Sequence, residues 1–578
     1  MECGRKLGLS KIKVLLVLFA VLIFVQGLNV HAQEASTLRK ERFDNILPQA
    51  MRDNQIDMWI HVIVGEDPLD LGAGSGYCVF TDRGGDRIER AVFDYNYEVR
   101  DPEIYDIIGD EGNSSGTGLG LESRFEGLGE FVAERDPERI VVSLDSISYT
   151  DYNRLANRLG DKYAKRIASA ENLIAAFRPR EVRGESSRIQ KPDAMLNLVR
   201  RERFDVTLPQ IMWDNKIDMW INVLREGDPL SVDLGSNFGY CVFTDRGVRR
   251  IERAIFDCEV QDPGAYDIIG GDGPEPDLAR RFTGLREFVA ERDPKVIGVN
   301  FSEKMDLADG ISYADYNQLV KALGDTYANK MVSAEFLIID FLTRRVTSEL
   351  VLFGRSGARW HEHLQREFAK IVPGVTRLRD VDANAFVRDR DGNEDAGNDY
   401  VVQRGDVVGT PGQSGYVLRE GETDLPPYVQ DIWAHGMKVR EIIRDNVKPG
   451  PTVRETIDLL ERKLEEAGYY HNPVDHWDKD VDQNKTQVHL DLHAWGGHVD
   501  IAIPRIAPLS PGSFNEDWAM DLRIPVNHTF TLEYMVHMPV PEWGRGKHIY
   551  LPFHDPGVVT ERGVEFPYPP VQGILVVQ

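Results

Sequence analysis

Apolar and polar positions alternate with period two in the stretch Val488-His489-Leu490-Asp491-Leu492-His493, the most informative pattern in the chain. Read as a strand, it places His489, Asp491 and His493 on one face and Leu490 and Leu492 on the other. Earlier in the chain the pattern changes repeatedly between helical and strand periods. Phe43, Ile46, Leu47 and Met51 have helical spacing, with Pro48 kinking or restarting the helix. Residues 56–64 are β-branched and apolar, as a buried strand should be. Further strands are expected at Tyr77–Thr81, Ile88–Phe93 and Ile140–Leu144, with helices around Phe125–Arg135 and Tyr152–Leu173. This alternation predicts an α/β layered domain.

The same domain occurs twice. Glu41-Arg42-Phe43-Asp44 returns as Glu202-Arg203-Phe204-Asp205, and Ile56-Asp57-Met58-Trp59-Ile60 as Ile217-Asp218-Met219-Trp220-Ile221. Gly76 to Gly84 recurs letter for letter as Gly239 to Gly247. A spacing of about 160 residues is far longer than a solenoid unit, so two whole domains are repeated. Neither copy carries a glycine phosphate loop, a nucleophile elbow or a cluster with metal-ligand spacing. Cys78 and Cys241 fall in mid-strand, where a buried, inert thiol is expected.

After about Thr343 the pattern becomes helical again. A helix through Leu364, Phe368 and Ile371 runs into Pro373-Gly374-Val375-Thr376. A second through Val439, Ile442, Ile443 and Val447 runs into Pro449-Gly450-Pro451-Thr452, and a third follows through Ile457, Leu460 and Leu464. The expected organisation is a signal peptide over 1–32, copies over 33–178 and 201–345 with a linker at 179–200, and a last domain over 346–578.

The beginning and the composition change the picture in one respect, the cellular address. Arg5, Lys6, Lys11 and Lys13 precede the apolar run Val14–Val25, and Val30-His31-Ala32 offers a cleavage site before Gln33. That run is shorter than the roughly 20 residues a membrane span needs. A secreted or periplasmic protein, with no membrane association after cleavage, is expected. The formal net charge of −26 argues against nucleic acid as a partner, since phosphate binding requires clustered Lys and Arg. Three cysteines remain after processing, an odd number that implies no disulfide framework.

Chemistry concentrates in the last domain. Of the fourteen histidines, His471, His476, His489, His493 and His498 lie within 28 residues, and Glu533 and His554 extend the set. Imidazole and carboxylate groups converging from a strand are suitable ligands for a divalent transition metal.

Several segments carry a resemblance. Pro373-Gly374-Val375-Thr376, Arg404-Gly405-Asp406-Val407-Val408, Tyr416-Val417-Leu418-Arg419-Glu420-Gly421-Glu422-Thr423-Asp424, the histidine strand, and Phe530-Thr531-Leu532-Glu533-Tyr534 together resemble the pita-bread family. That family includes aminopeptidase P, prolidase, methionine aminopeptidase and creatinase, and the repeated unit resembles its N-terminal domain. The resemblance implies two tandem α/β domains followed by a pita-bread α+β domain. It also implies a peptide substrate or ligand, and it is compatible with a homodimer.

In working members two Asp, one His and two Glu bind two metals. Glu533 matches the first Glu, and His554 stands at the second. His493, His498 and Asp500 are all candidates for the His position. The hairpin that should carry both Asp ligands is reduced here to Val407–Gly415, without an acidic residue. The resemblance therefore implies a degenerate site: one divalent ion (manganese, cobalt or zinc) held by Glu533, His554 and one of the three candidates. His493 and Glu533 are the expected catalytic groups, with activity impaired or absent. The alternative is an active hydrolase of proline-containing peptides that works with one metal.

Overall fold

The computed structural model describes residue 36 and residues 39–578, apart from 64–68, 74–75, 86, 96–98, 110–123, 178–193, 226–227, 229, 248–249, 271–280, 306–307, 383–384, 389–396, 398, 411 and 495–516. The expected signal peptide, most of the expected linker, His498 and Asp500 lie outside the described residues. The chain forms two compact units. One holds the described residues up to Phe177 together with Ile311–Val320, and the other holds the remainder.

The first unit is built on strands β1 (Met58–Ile63), β2 (Gly76–Thr81), β3 (Glu89–Phe93), β4 (Ile107–Ile108), β5 (Ile140–Val142) and β6 (Ile167–Ser169). They form a mixed sheet in the order β4-β3-β2-β1-β5-β6. Adjacent residues of β1 alternate between two cores. Trp59 packs with Phe43, Leu47, Met51, Leu173 and Phe177 on one face. Met58, Ile60 and Val62 pack with Leu128, Val132, Leu155 and Leu159 on the other. Helices thus cover both faces, which is why the central strands read as nearly continuous apolar runs. The helix expected from Tyr152 to Leu173 is not continuous. It runs over Tyr149–Ala164, with Gly160 at a positive φ of 69°, and is followed by β6 and a separate helix, Glu171–Phe177.

The second unit opens with an equivalent sheet. Its strands are β7 (Met219–Leu224), β8 (Gly239–Asp245), β9 (Ile251–Phe256), β10 (Ile268–Gly270), β11 (Ile297–Val299) and β12 (Met331–Ser333). Their order, β10-β9-β8-β7-β11-β12, is that of the first sheet. Cys78 and Cys241 lie buried in β2 and β8, each beside a tyrosine hydroxyl at 3.5 Å. A helix, Ala194–Glu202, occupies the end of the span read as linker.

The C-terminal part of this unit contains two more sheets. β13 (Phe386–Arg388), β14 (Val407–Thr410), β15 (Gln413–Val417) and β22 (Leu575–Val577) form the smaller. β16 (Tyr470–His471), β17 (Gln487–Leu490), β19 (Thr529–Pro539), β20 (His548–Thr560) and β21 (Gly563–Glu565) form the larger, with β18 (His493–Ala494) also paired to β19. Helices Pro427–Asn446 and Val453–Glu466 back the larger sheet through Ile432, Val439, Leu460 and Leu464 against Leu490, Leu532, Tyr534 and Val536. Contact is close: a Cβ at Gly436 would fall 1.8 Å from the Phe553 ring, and Gly436 O accepts from Tyr534 Oη at 2.9 Å. The Pro-Gly-Pro-Thr segment ends in a reciprocal cap. Thr452 Oγ1 accepts from Glu455 N at 3.1 Å, and Glu455 Oε2 accepts from Thr452 N at 2.8 Å.

Candidate metal centre

One face of the larger sheet is committed to the helices, so alternate residues of its strands point to the other face. On β19 the helix-side residues are Phe530, Leu532, Tyr534 and Val536, all fully buried. Thr531, Glu533, Met535 and His537 therefore share the opposite face. Register aligns neighbouring strands with them. Glu533 pairs with His554 of β20, Thr531 with His493 of β18, and His489 of β17 with Met535.

Three of the candidate residues converge. Ligand atoms of His493, Glu533 and His554 all lie within 4.8 Å of one another, and each side chain is half-buried. His493 Nε2 is 3.0 Å from Glu533 Oε2. Burial pushes the His554 imidazole below its ordinary pKa, against the opposing pull of Glu533. A neutral imidazole keeps a lone pair for a metal. Two imidazoles and one carboxylate form the donor set of one class of catalytic zinc site, in which a further coordination position stays open.

Beside this group, the described residues offer no second one. The hairpin β14–β15 carries Thr410, Gln413 and Ser414, all buried, and no acidic residue. Thr410 Oγ1 donates to Gln413 O at 3.2 Å, and Gln413 Nε2 donates to Ser414 O at 2.9 Å. At its tip, a Cβ on Gly412 would sit 3.9 Å from His554 O. The acids that follow β15 are engaged in local hydrogen bonds. Glu422 Oε2 accepts from Tyr416 Oη at 2.9 Å and from Arg419 N at 2.8 Å, while Asp424 Oδ1 accepts from Leu425 N at 2.8 Å. Asp555, next to His554, alternates to the helix side. There Arg440 Nη1 lies 3.3 Å from its carboxylate, and Val571 N donates to it at 3.0 Å. Among the described residues, His493, Glu533 and His554 form the single group with metal-ligand spacing.

The other histidines of the sheet hold a covering segment in place. His489 Nδ1 is 3.0 Å from Asn472 O, His537 Nε2 is 3.4 Å from Asp475 Oδ1, and His548 stacks on Trp477 at 4.5 Å. His471 Nδ1 lies 3.1 Å from Glu461 Oε1. Burial pushes the imidazole down to about 4, so His471 is neutral beside that carboxylate at ordinary pH. Sequence reasoning passed over His537 and Thr531. Both share the period-two face of Glu533, four residues ahead and two behind, and that spacing could have found them.

No protein-family model matches the sequence, and no curated protein matches it. Among solved structures the chain is similar to the X-Pro aminopeptidase from Thermotoga maritima MSB8, at 14% identity and a TM-score of 0.42, over 64% of this chain and 100% of that one. It is also similar to the Xaa-Pro dipeptidase from Bacillus anthracis, at 14% identity and a TM-score of 0.40, over 66% of this chain and 100% of that one. For the prolidase from Pyrococcus horikoshii OT3 the values are 12% and 0.37, over 64% and 98%. Likeness at this level transfers no residue role.

Proposed function

We propose that this chain is an exported, divergent relative of Xaa-Pro aminopeptidases and prolidases. In this reading it holds a single divalent ion and binds peptides with little or no hydrolysis. The observation that carries this is the meeting of His493, Glu533 and His554 on one sheet face, beside a hairpin without carboxylates. The three residues would hold the ion, which would supply Lewis-acid polarisation and a lowered water pKa when bound. A dinuclear centre does not suit the residues present, because the carboxylates needed for a second ion are lacking among those described.

A second reading has specific support from the same donor set. Two His and one Glu suffice at catalytic zinc sites, so a single-metal hydrolase of proline-containing peptides is the alternative. Elemental analysis combined with turnover of an Xaa-Pro peptide separates the two. One ion with background turnover supports the first reading, and one ion with turnover lost in Glu533→Ala supports the second. The repeated N-terminal domains, proposed to span 33–178 and 201–345 and to derive from duplication, would contribute assembly or binding surface, since no metal-ligand group falls in them among the described residues. Export with cleavage after Ala32 is tested by the intact mass of protein recovered from its host, and a full-length mass would refute it.

A further inference from the structure

On the ligand face of β19, two residues before Glu533 and directly opposite His493, stands Thr531. It is fully buried, and its Oγ1 has no hydrogen-bond partner among the described residues. The next hydroxyl on that face is satisfied, because Thr529 Oγ1 accepts from Arg345 Nε at 3.3 Å. On the other side of Thr531, the residue in register is Pro556, which has neither a side-chain polar group nor an N–H. Buried hydroxyls are normally paired, and those without a partner mark a missing ion or water or a functional role. Three side-chain ligands also leave a metal one or more open positions.

We propose that Thr531 is a positioning residue of the metal centre. Its hydroxyl serves as the hydrogen-bond partner of the oxygen, from water or a peptide carbonyl, that fills the position left open by His493, Glu533 and His554. This rests on the single-ion reading above. Outer-shell partners of this kind are worth about 10- to 100-fold in metal affinity.

The test compares wild type, Thr531→Val and Thr531→Ser as full chains, with zinc as the probe and a competing chromophoric chelator as the readout. Denaturant midpoints are measured with and without zinc. Thr531→Val keeps the shape and removes the hydroxyl, so zinc binding should weaken about tenfold. The metal-free midpoint should stay level or rise, since a buried unpaired hydroxyl is lost. Thr531→Ser should restore the affinity. Equal zinc affinity in wild type and Thr531→Val would overturn the role of Thr531 and leave the single-ion reading standing. A metal-free loss of stability in Thr531→Val that Thr531→Ser recovers would show that the hydroxyl already has a protein partner, which also overturns the role. Wild type that takes up no zinc would refute both.

Discussion

Replacing His471 by Gln should make the last domain less sensitive to acid. In the folded protein burial lowers the His471 imidazole from 6.5 to about 4, helped by the nearby His489. Between those two values the unfolded chain binds a proton that the folded chain does not. Stability therefore falls as pH drops from about 6.5 to about 4, and is level on either side of that window. The difference of roughly 2.5 units corresponds to at most about 3 kcal/mol. Glu461 works in the opposite direction. Burial and its acidic neighbours Asp458 and Glu465 raise its carboxyl, so it takes up a proton more readily when folded and offsets part of the loss. The net effect over the window is therefore smaller than that ceiling of about 3 kcal/mol. Gln is polar and of similar size but cannot be protonated. Denaturant unfolding of both proteins at a series of pH values, or hydrogen exchange over residues 470–490, measures the slope. Equal slopes for wild type and His471→Gln would refute the assignment of a buried neutral imidazole.

Other substitutions address the framework of the site. Asp555→Ala leaves Arg440 buried without its carboxylate and should cost about 3 kcal/mol in denaturant unfolding, whereas an effect under about 1 kcal/mol would show the pair to be solvated. Thr452→Ala removes one half of the reciprocal cap and should cost about 1 kcal/mol without changing zinc affinity.

Much of this architecture is legible in the sequence, for identifiable reasons. Buried strands such as β1 and β7 advertise themselves because both faces are covered and all but one position in each, His61 and Asn222, is apolar. The face shared by His489 and His493 follows from period two, and the Thr452 cap follows from Pro-Gly-Pro-Thr ahead of a helix. Two features were less accessible. The helix expected to reach Leu173 ends at Ala164, because Ile167–Ser169 pairs with β5, a contact distant in sequence that local periodicity does not register. The histidines also share one chemistry while serving different ends. His493 and His554 face Glu533, whereas His489, His537 and His548 secure the segment bearing Asn472, Asp475 and Trp477. Register across β17, β18, β19 and β20 makes that division, and register is a tertiary property. Period two from Glu533 places Thr531 on the same face, but that its hydroxyl lacks a partner is recognised only once its surroundings are known.

The central claim is a centre for one ion, and metal stoichiometry tests it most directly. The purified protein, stripped and then equilibrated with zinc, should hold one ion per chain by elemental analysis, and Glu533→Ala should hold none. Binding should weaken as pH falls below about 6.5, the ordinary imidazole value, because burial holds His554 lower and a protonated imidazole cannot ligate. Two tightly held ions, or one ion that survives Glu533→Ala, would contradict the account.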